Sequence, residues 1–296
     1  MSDAQVNMRT GNLVCMCAVA LFALTFPVAE LLLEKWGALT LIAVRNVLGF
    51  LILFLAYCYF YGIKQVLSAP WRAGAFIGAL GFGVGSTLLL IAQSHTNAVT
   101  AALAAAMMPL AGVGLEMLLD GRRMTRNFLL GTVLVLLGSM LAIGMKVADV
   151  TFGVGALMGV ASTIVFAWGS RATVKVLEGS SDLTRTVVTT AGMALFSLIA
   201  FMSFSLLNVG TAQMSFVRPT MVDWGLIVVY AGFALALSQI MWIKGVSKIG
   251  IGIASFHLNA APFYVMLILL GLGGGWDWQQ ASGAAVLALG VVLAQR

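Results

Sequence analysis

The sequence predicts an all-α membrane protein with ten transmembrane helices that form two inverted repeats of five helices. Three observations support this prediction: the composition, the number of long apolar segments, and matches between the two halves of the chain. Of the 296 residues, 61% are hydrophobic and only 9% are charged, whereas about 25% of a soluble domain is charged. So few charges could not cover a soluble surface, which excludes soluble enzymes, disordered tails and secreted disulfide proteins.

Ten segments are long and apolar enough, or nearly so, to cross a bilayer, which takes roughly 20 residues. Their predicted bounds are Leu13–Leu33, Ala38–Phe60, Trp71–Gln93, Asn97–Leu119, Phe128–Met145, Phe152–Val176, Thr184–Leu207, Val222–Ile243, Ile249–Leu272 and Ala281–Ala294. The connections are short, so we expect no separate soluble domain. The three cysteines lie inside apolar segments, so we expect neither a disulfide framework nor a metal site.

Lysine and arginine predict the orientation, because they concentrate in cytoplasmic loops. With a cytoplasmic N-terminus, the outer side holds only Lys35, Lys146 and Arg218. Apart from Arg45, which lies inside a span, the remaining basic residues fall on the cytoplasmic side: Arg9, Lys64, Arg72, Arg122, Arg123, Arg126, Arg171, Lys175, Arg185, Lys244, Lys248 and Arg296. Both termini are therefore expected in the cytoplasm. The basic residues form no patch that would neutralise phosphates, so we expect no nucleic-acid partner.

The two halves of the chain align with each other at two offsets, 144 residues in the early part and 153 in the later part. The aligned pairs include Phe22 with Phe166, Leu33-Glu34 with Leu177-Glu178, Trp71 with Trp224, Ala101 with Ala254 and Pro109 with Pro262. This pattern predicts a duplication, with one repeat over residues 1–148 and the other over residues 149–296. Five spans per repeat would invert the second half, and inverted repeats are typical of secondary transporters with a midplane site.

Three stretches resemble the drug/metabolite transporter superfamily of the EamA type. They are Leu39-Thr40-Leu41-Ile42-Ala43-Val44-Arg45-Asn46, the segment from Pro109 through Asp120-Gly121-Arg122-Arg123-Met124-Thr125 to Gly131 and Gly138, and Phe166-Ala167-Trp168-Gly169. The resemblance is greatest to bacterial amino-acid exporters, including those of aromatic amino acids. It implies a ten-helix transporter of the bacterial inner membrane. The first half departs from the pattern, because Leu24-Thr25 replaces the usual Trp-Gly.

Ionisable groups inside a span are functional candidates by default. Arg45 lies about seven residues into its span, roughly 10 Å below the outer surface at 1.5 Å per residue. It could bind a substrate carboxylate, it could pair with Glu30 or Glu34, or its long side chain could extend towards the outer surface. Glu116, one turn from the end of its span, is either a structural anchor or a site of proton coupling.

Polar residues beside Pro262 form a second group of candidates. Pro262 removes a backbone donor deep in the membrane. His257 and Asn259 could satisfy the freed backbone, or they could hydrogen-bond a substrate. The aligned positions in the first half are Ala104 and Ala106, so such a site would be asymmetric.

The remaining candidates lie within the predicted spans and have flexible, aromatic or hydrogen-bonding side chains. Methionines adapt to varied shapes, and helix packing alone is the alternative explanation for small residues near them. The cavity candidates of this kind are Phe22, Thr25, Ser86, Met107, Met108, Trp168, Gln239 and Tyr264. His95, at the end of the third span, is either a gate residue or a solvated loop histidine.

The sequence contains no mid-membrane cluster of Lys and Arg for a sugar phosphate, and no carboxylate at the centre of the first span for a cationic drug. It also contains no Gly-x-Ser-x-Gly or His-Glu-x-x-His motif. We therefore expect a carrier without catalytic residues or cofactors, monomeric or homodimeric, that exports small net-neutral metabolites. Neutral or aromatic amino acids fit best, and other amphipathic metabolites or drugs are the alternative.

Overall fold

A computed structural model describes residues 3–121, 125–143, 154–208 and 210–294, apart from a few side chains that include that of Glu116. All regular structure in these ranges is helical. The α-helices are α1 (Asp3–Ala23), α2 (Thr25–Leu33), α3 (Ala38–Ser68), α4 (Trp71–Ile77), α5 (Val84–Ser94), α6 (Ala98–Ala106), α7 (Met108–Asp120), α8 (Arg126–Ile143), α9 (Val154–Val176), α10 (Asp182–Leu206), α11 (Met221–Val228), α12 (Ser238–Phe256), α13 (Ala261–Gly271) and α14 (Trp278–Ala294). Two π-helical segments, Gly78–Gly83 and Val229–Leu237, and two 3₁₀ segments, Thr211–Met214 and His257–Ala260, connect some of them.

Seven helical stretches among the described residues are long and apolar enough to cross a membrane. They are Met8–Leu33, Ala38–Ser68, Trp71–Ser94, Ala98–Leu119, Leu157–Val176, Asp182–Leu206 and Met221–Gly271. The last covers 51 residues, and a straight helix of that length would measure about 77 Å, more than twice the hydrocarbon core. Gly250 (φ 76°) interrupts it. The helix α8 is apolar but short, and the total of ten spans stays a prediction.

The described surface is apolar, whereas many buried side chains are polar. Leu55, Phe60 and Leu118 are 67%, 71% and 84% exposed. Thr186 and Thr189, in contrast, are fully buried in α10, where their hydroxyls donate to backbone carbonyls four residues earlier. This arrangement suits lipid, in which polar groups must find partners inside the protein. The chain is an integral membrane protein.

Irregular backbone occurs at corresponding places in the two halves. The offset of 153 maps Gly78–Gly83 into the other π-helical segment, Val229–Leu237. The same offset maps the break between α6 and α7, where α7 begins at Met108, onto the point where α13 begins at Ala261. Pro109 and Pro262 follow these breaks, because proline cannot donate to the preceding turn. The predicted ten segments did not include these interruptions.

Helix packing follows the same correspondence. The helix α5 packs against α9, and α12 packs against α1; α3 packs along α10, and α8 along α14. Close contacts use small residues: a Cβ added at Gly169 would lie 2.8 Å from the Cα of Gly81. The predicted boundary between repeats, at residues 148 and 149, lies outside the described residues, so the repeat itself stays a prediction.

One end of the molecule is closed by contacts of the α2–α3 connection with the first turn of α11 and with the segment before it. Lys35 Nζ lies 2.8 Å from Asp223 Oδ1, and Trp36 Nε1 donates to Val217 O at 2.7 Å. The same Asp223 completes a capping box with Thr220 at the start of α11. Because the Lys35 side chain is 42% exposed, the ion pair contributes only about 0–1 kcal/mol.

Candidate functional site

A cavity lies between the two halves of the chain, and we call it the central cavity. It contains about 520 Å³ of space not filled by atoms, including space that opens to its surroundings. Its lining comes from α1, α5, α6, α7, α9, α12 and the 3₁₀ segment His257–Ala260. The lining residues are Val19, Phe22, Leu89, Ala105, Met108, Ser162, Thr163, Phe166, Ser238, Gln239, Trp242 and Leu258.

Two thirds of this lining consists of pairs that the sequence offsets relate. The offset of 144 pairs Val19 with Thr163 and Phe22 with Phe166, and the offset of 153 pairs Leu89 with Trp242 and Ala105 with Leu258. Of these eight residues, only Phe22 and Phe166 belong to the aligned pairs on which the offsets are based. The other six are therefore independent support for the correspondence. Corresponding residues from both halves therefore surround one space.

The central cavity is apolar because most of its polar groups already have partners. Ser162 Oγ donates to Gly85 O at 2.8 Å, and Thr163 Oγ1 donates to Ala104 O at 3.0 Å. The indole of Trp242 donates to Ser170 Oγ at 3.1 Å, so its ring is held in place. Aromatic and aliphatic surface therefore dominates, and the half-buried Gln239 adds one amide. Such a lining suits an apolar or aromatic group.

A smaller space adjoins the central cavity, and we call it the arginine chamber. It contains about 280 Å³ of space not filled by atoms, including space that opens to its surroundings. Its lining residues are Phe22, Thr25, Arg45, Ser86, Leu89, Leu90, Gln93, Phe166 and Tyr230. Phe22, Leu89 and Phe166 line both spaces, so one elongated molecule could contact both.

Arg45 is the charged residue of this chamber, and it is only 5% exposed. Its Cζ lies 4.8 Å from the centroid of the Tyr230 ring, within the range of a cation–π contact. Its Nε is buried without a hydrogen-bond partner. Among the side chains that the structure describes, no carboxylate forms an ion pair with Arg45, so the pairing with Glu30 or Glu34 is not observed.

Two hydroxyls of the same chamber also have no partner. Thr25 Oγ1 and Tyr230 Oη are buried and unpaired, and the two residues are 4% and 1% exposed. Thr25 is the first residue of α2, immediately after the interruption at Leu24 that separates α2 from α1. Three unpaired polar atoms from α2, α3 and the second π-helical segment therefore line one small space.

Neighbouring hydrogen bonds hold the wall of the chamber in place. Asn46, next to Arg45, is fully buried and donates to Ser197 Oγ at 2.7 Å. Ser86 donates to Gly83 O at 3.3 Å. Gln93 donates to Phe26 O at 2.7 Å and so joins α5 to α2. These bonds connect helices that line the chamber to one another and to α10.

The structure brings together about half of the candidates from the sequence. Those that line the central cavity or the arginine chamber are Phe22, Thr25, Arg45, Ser86, Met108 and Gln239. Met107 instead ends α6 and packs in an apolar cluster, and Tyr264 also lies among apolar residues. Trp168 packs beside Ile77 and Leu177, outside both spaces.

The polar candidates near Pro262 and the gate candidates lie elsewhere. His257 Nδ1 is 3.2 Å from Ala254 O, a local contact on the 3₁₀ segment. Asn259 is 8% exposed, and its Oδ1 is buried without a partner, but it lines neither space. His95 is exposed at the end of α5. The side chain of Glu116 lies outside the described residues.

Several lining residues were not among the candidates. Phe166 has a signal in the sequence, because it is the offset partner of Phe22. Trp242 and Tyr230 have no signal that distinguishes them from aromatic residues of the membrane interface. Ser162, Thr163 and Gln93 gave no separate signal, since isolated hydroxyls and amides are common in membrane helices.

Comparison with known proteins agrees with this architecture. One solved crystal structure of a protein superposes with a TM-score of 0.71 and 19% identity, over 97% of this chain and 96% of that one. This likeness concerns the fold alone. Among curated proteins, the "Uncharacterized transporter YetK" of Bacillus subtilis (strain 168) is 26% identical over 76 residues. That alignment covers 26% of this chain and 22% of the relative, so it spans about a fifth of the relative's length.

A family-level comparison matches almost half of the chain. The matched range includes most of α1 and all of α2 to α7, and therefore Phe22, Thr25, Arg45 and Met108 from the lining of the two spaces. Both the family and the curated relative are described as transporters rather than enzymes. Residues 9–144 of this integral membrane protein match the EamA-like transporter family.

Proposed function

We propose that this protein is a secondary transporter that works by alternating access, with the central cavity as its substrate site. The observation behind the proposal is the lining, in which offset-related residues of both halves surround one space. If the halves are inverted repeats, exchanging their conformations opens the same site to opposite sides of the membrane. The family match of the first half supports the same reading.

The proposed substrates are small amphipathic metabolites, with neutral and aromatic amino acids first. Phe22, Phe166 and Trp242 provide aromatic surface for a side chain, and Met108 adds an adaptable contact. Pro109 and Pro262 lack the amides that would bond the carbonyls of Ala105 and Leu258 in regular helices. Backbone carbonyls at such interruptions can hold the positive group of a substrate.

The proposed direction is export across a bacterial inner membrane. Both termini of the protein lie in the cytoplasm in this proposal. The excess of basic residues on one side supports this orientation. The alternative function is export of another amphipathic metabolite or drug, which the apolar lining would also accept. The substrate, the direction and a monomeric or homodimeric state are all part of the proposal.

The test is uptake of radiolabelled amino acids into proteoliposomes, with and without an imposed pH gradient. We expect saturable transport of leucine, methionine or phenylalanine, each inhibited by the others. Ala105→Phe should fill the central cavity and reduce uptake about tenfold or more, a change of about 1.4 kcal/mol. The matched control, Ala285→Phe, adds the same side chain at an exposed position of α14 and should transport normally.

Each result has a distinct meaning. Acceleration by the gradient would indicate proton coupling, and insensitivity would indicate facilitated diffusion. Absence of transport for every amino acid, in vesicles shown to contain folded protein, would reject amino acids and favour the drug or metabolite alternative. Normal transport by Ala105→Phe would reject the central cavity as the substrate site.

A further inference from the structure

We propose that the arginine chamber is an anion subsite, in which Arg45, Tyr230 and Thr25 bind a carboxylate at one end of the substrate. The remainder of that substrate, an apolar or aromatic body, would occupy the adjoining central cavity. The identity of the transported molecule rests on the proposed function. The subsite itself can be tested with simple carboxylates that the protein need not transport.

The first argument concerns the charge of Arg45. A buried guanidinium away from water is costly unless it is paired and hydrogen-bonded. Arg45 is 5% exposed, its Nε has no partner, and the described side chains supply no carboxylate. The Tyr230 ring compensates part of the cost. A carboxylate ligand would compensate the rest, because guanidinium and carboxylate pair through two parallel hydrogen bonds.

The second argument concerns the two hydroxyls. A carboxylate has about four lone-pair sites, more than one guanidinium edge can occupy. Thr25 Oγ1 and Tyr230 Oη line the same chamber, are buried, and donate to no described group. A buried hydrogen-bonding group without a partner is destabilising. A carboxylate bound beside Arg45 would accept from both hydroxyls.

The third argument is that the described residues at the corresponding positions of the other half form no second charged chamber. The sequence offsets map Arg45 to Thr189, Thr25 to Gly169 and Tyr230 to Ile77. Thr189 Oγ1 donates to Arg185 O at 2.8 Å, Gly169 packs against Gly81, and Ile77 is buried in an apolar cluster. The corresponding region of the other half is thus uncharged and tightly packed. The arginine chamber is therefore not a scaffold feature common to both halves.

The position of the chamber determines how a bound substrate is oriented in the protein. Arg45, Thr25 and Tyr230 lie seven to nine residues from the helix ends nearest the Lys35–Asp223 contact, or roughly 10–14 Å along their helices. The central cavity continues from the chamber past Phe22 and Phe166. A bound molecule would thus place its carboxylate towards that closed end and its apolar body between the halves. Neutral amides and organic cations would bind poorly.

The experiment measures binding by calorimetry on purified protein in lipid nanodiscs. The probes are 3-phenylpropanoate and its neutral amide, then L-phenylalanine and L-phenylalaninamide. In the wild type we expect about tenfold or greater preference for each carboxylate over its amide. Arg45→Gln should remove that preference while amide binding changes less than about twofold. Tyr230→Phe removes one hydroxyl only and should weaken the carboxylates about three- to tenfold.

Arg72→Gln is the matched control, because it removes an exposed arginine outside both spaces and should keep the full preference. Should Arg45→Gln not fold, Tyr230→Phe still tests the subsite. Equal binding of carboxylate and amide by the wild type, a preference that survives Arg45→Gln, or no binding of any probe would overturn the proposal. Carboxylate preference without amino-acid transport would support the subsite and reject only the amino-acid substrate.

Discussion

At the residue scale, two phenylalanines line both spaces, together with Leu89. Phe22 and Phe166 occupy offset-related positions in α1 and α9, and each lines the central cavity and the arginine chamber. Phe22 is fixed by an edge-on contact with Phe26 at 5.3 Å, and Phe166 packs against Phe82 at 5.6 Å. Their rings therefore limit the width of any molecule that contacts both spaces.

Truncating either ring should change substrate size preference. Because Phe22→Ala or Phe166→Ala removes aromatic surface, we expect inhibition by leucine to weaken about tenfold, while tryptophan gains relative to leucine. The measurement is competition against labelled phenylalanine in proteoliposomes. Phe76→Ala removes a ring that is 60% exposed and should leave the ratio unchanged. An unchanged ratio in both cavity variants would contradict this assignment.

Some residue-level candidates line the two spaces and others do not, for one physical reason. Apolar length predicts the depth of a residue in the membrane, and depth made Arg45, Thr25 and Gln239 candidates. It does not give the direction in which a side chain points around the helix axis. Trp168 is at a suitable depth yet packs beside Ile77, and His257 bonds to its own helix.

At the element scale, interrupted helices and glycine contacts shape the site. The π-helical segment Gly78–Gly83 packs against both α9 and α10. A Cβ at Gly81 would meet the backbone of Gly169, and one at Gly192 would meet the backbone of Ala75. Backbone cannot move aside as a flexible side chain can, so these contacts require glycine. They close the region that corresponds to the arginine chamber.

A single methyl group tests this close approach. Gly81→Ala should destabilise the protein by about 1–3 kcal/mol through overpacking, seen as a lower midpoint of thermal unfolding in detergent. Gly225→Ala is the matched control, since a Cβ there meets nothing within 4 Å on an exposed face of α11. Better helix propensity should make that variant neutral or more stable by up to about 1 kcal/mol. Equal midpoints for the two variants would argue against the close contact.

At the scale of the whole molecule, residues of both halves of the chain line the central cavity, and contacts at one end join the two halves. The contacts of Lys35 with Asp223 and of Trp36 with Val217 join segments almost 200 residues apart. Large apolar side chains cover the described exterior. The arrangement is that of a protein whose solvent on most sides is lipid, with its polar groups turned towards its own interior.

The orientation in the membrane can be tested by labelling single cysteines. Cys15, Cys17 and Cys58 are first replaced, and then Lys64→Cys or Arg218→Cys is introduced at an exposed position. If both termini are cytoplasmic, an impermeant maleimide applied to intact cells should label Arg218→Cys but not Lys64→Cys. Permeabilised cells should label both. Labelling of Lys64→Cys alone would show the opposite orientation.

The sequence by itself predicted the lipid environment and the all-helical fold class, and it contains the offsets that relate the two halves. With 61% hydrophobic residues, burial of the backbone in lipid permits helices and little else, so composition suffices. The tertiary structure decided which side chains meet. Arg45 lies over Tyr230, 185 residues away along the chain, and not beside Glu30 or Glu34. The partner of Arg45 depends on how each helix is rotated about its axis and on the angles at which helices cross. Close packing of the whole protein determines both, and the local sequence does not specify them.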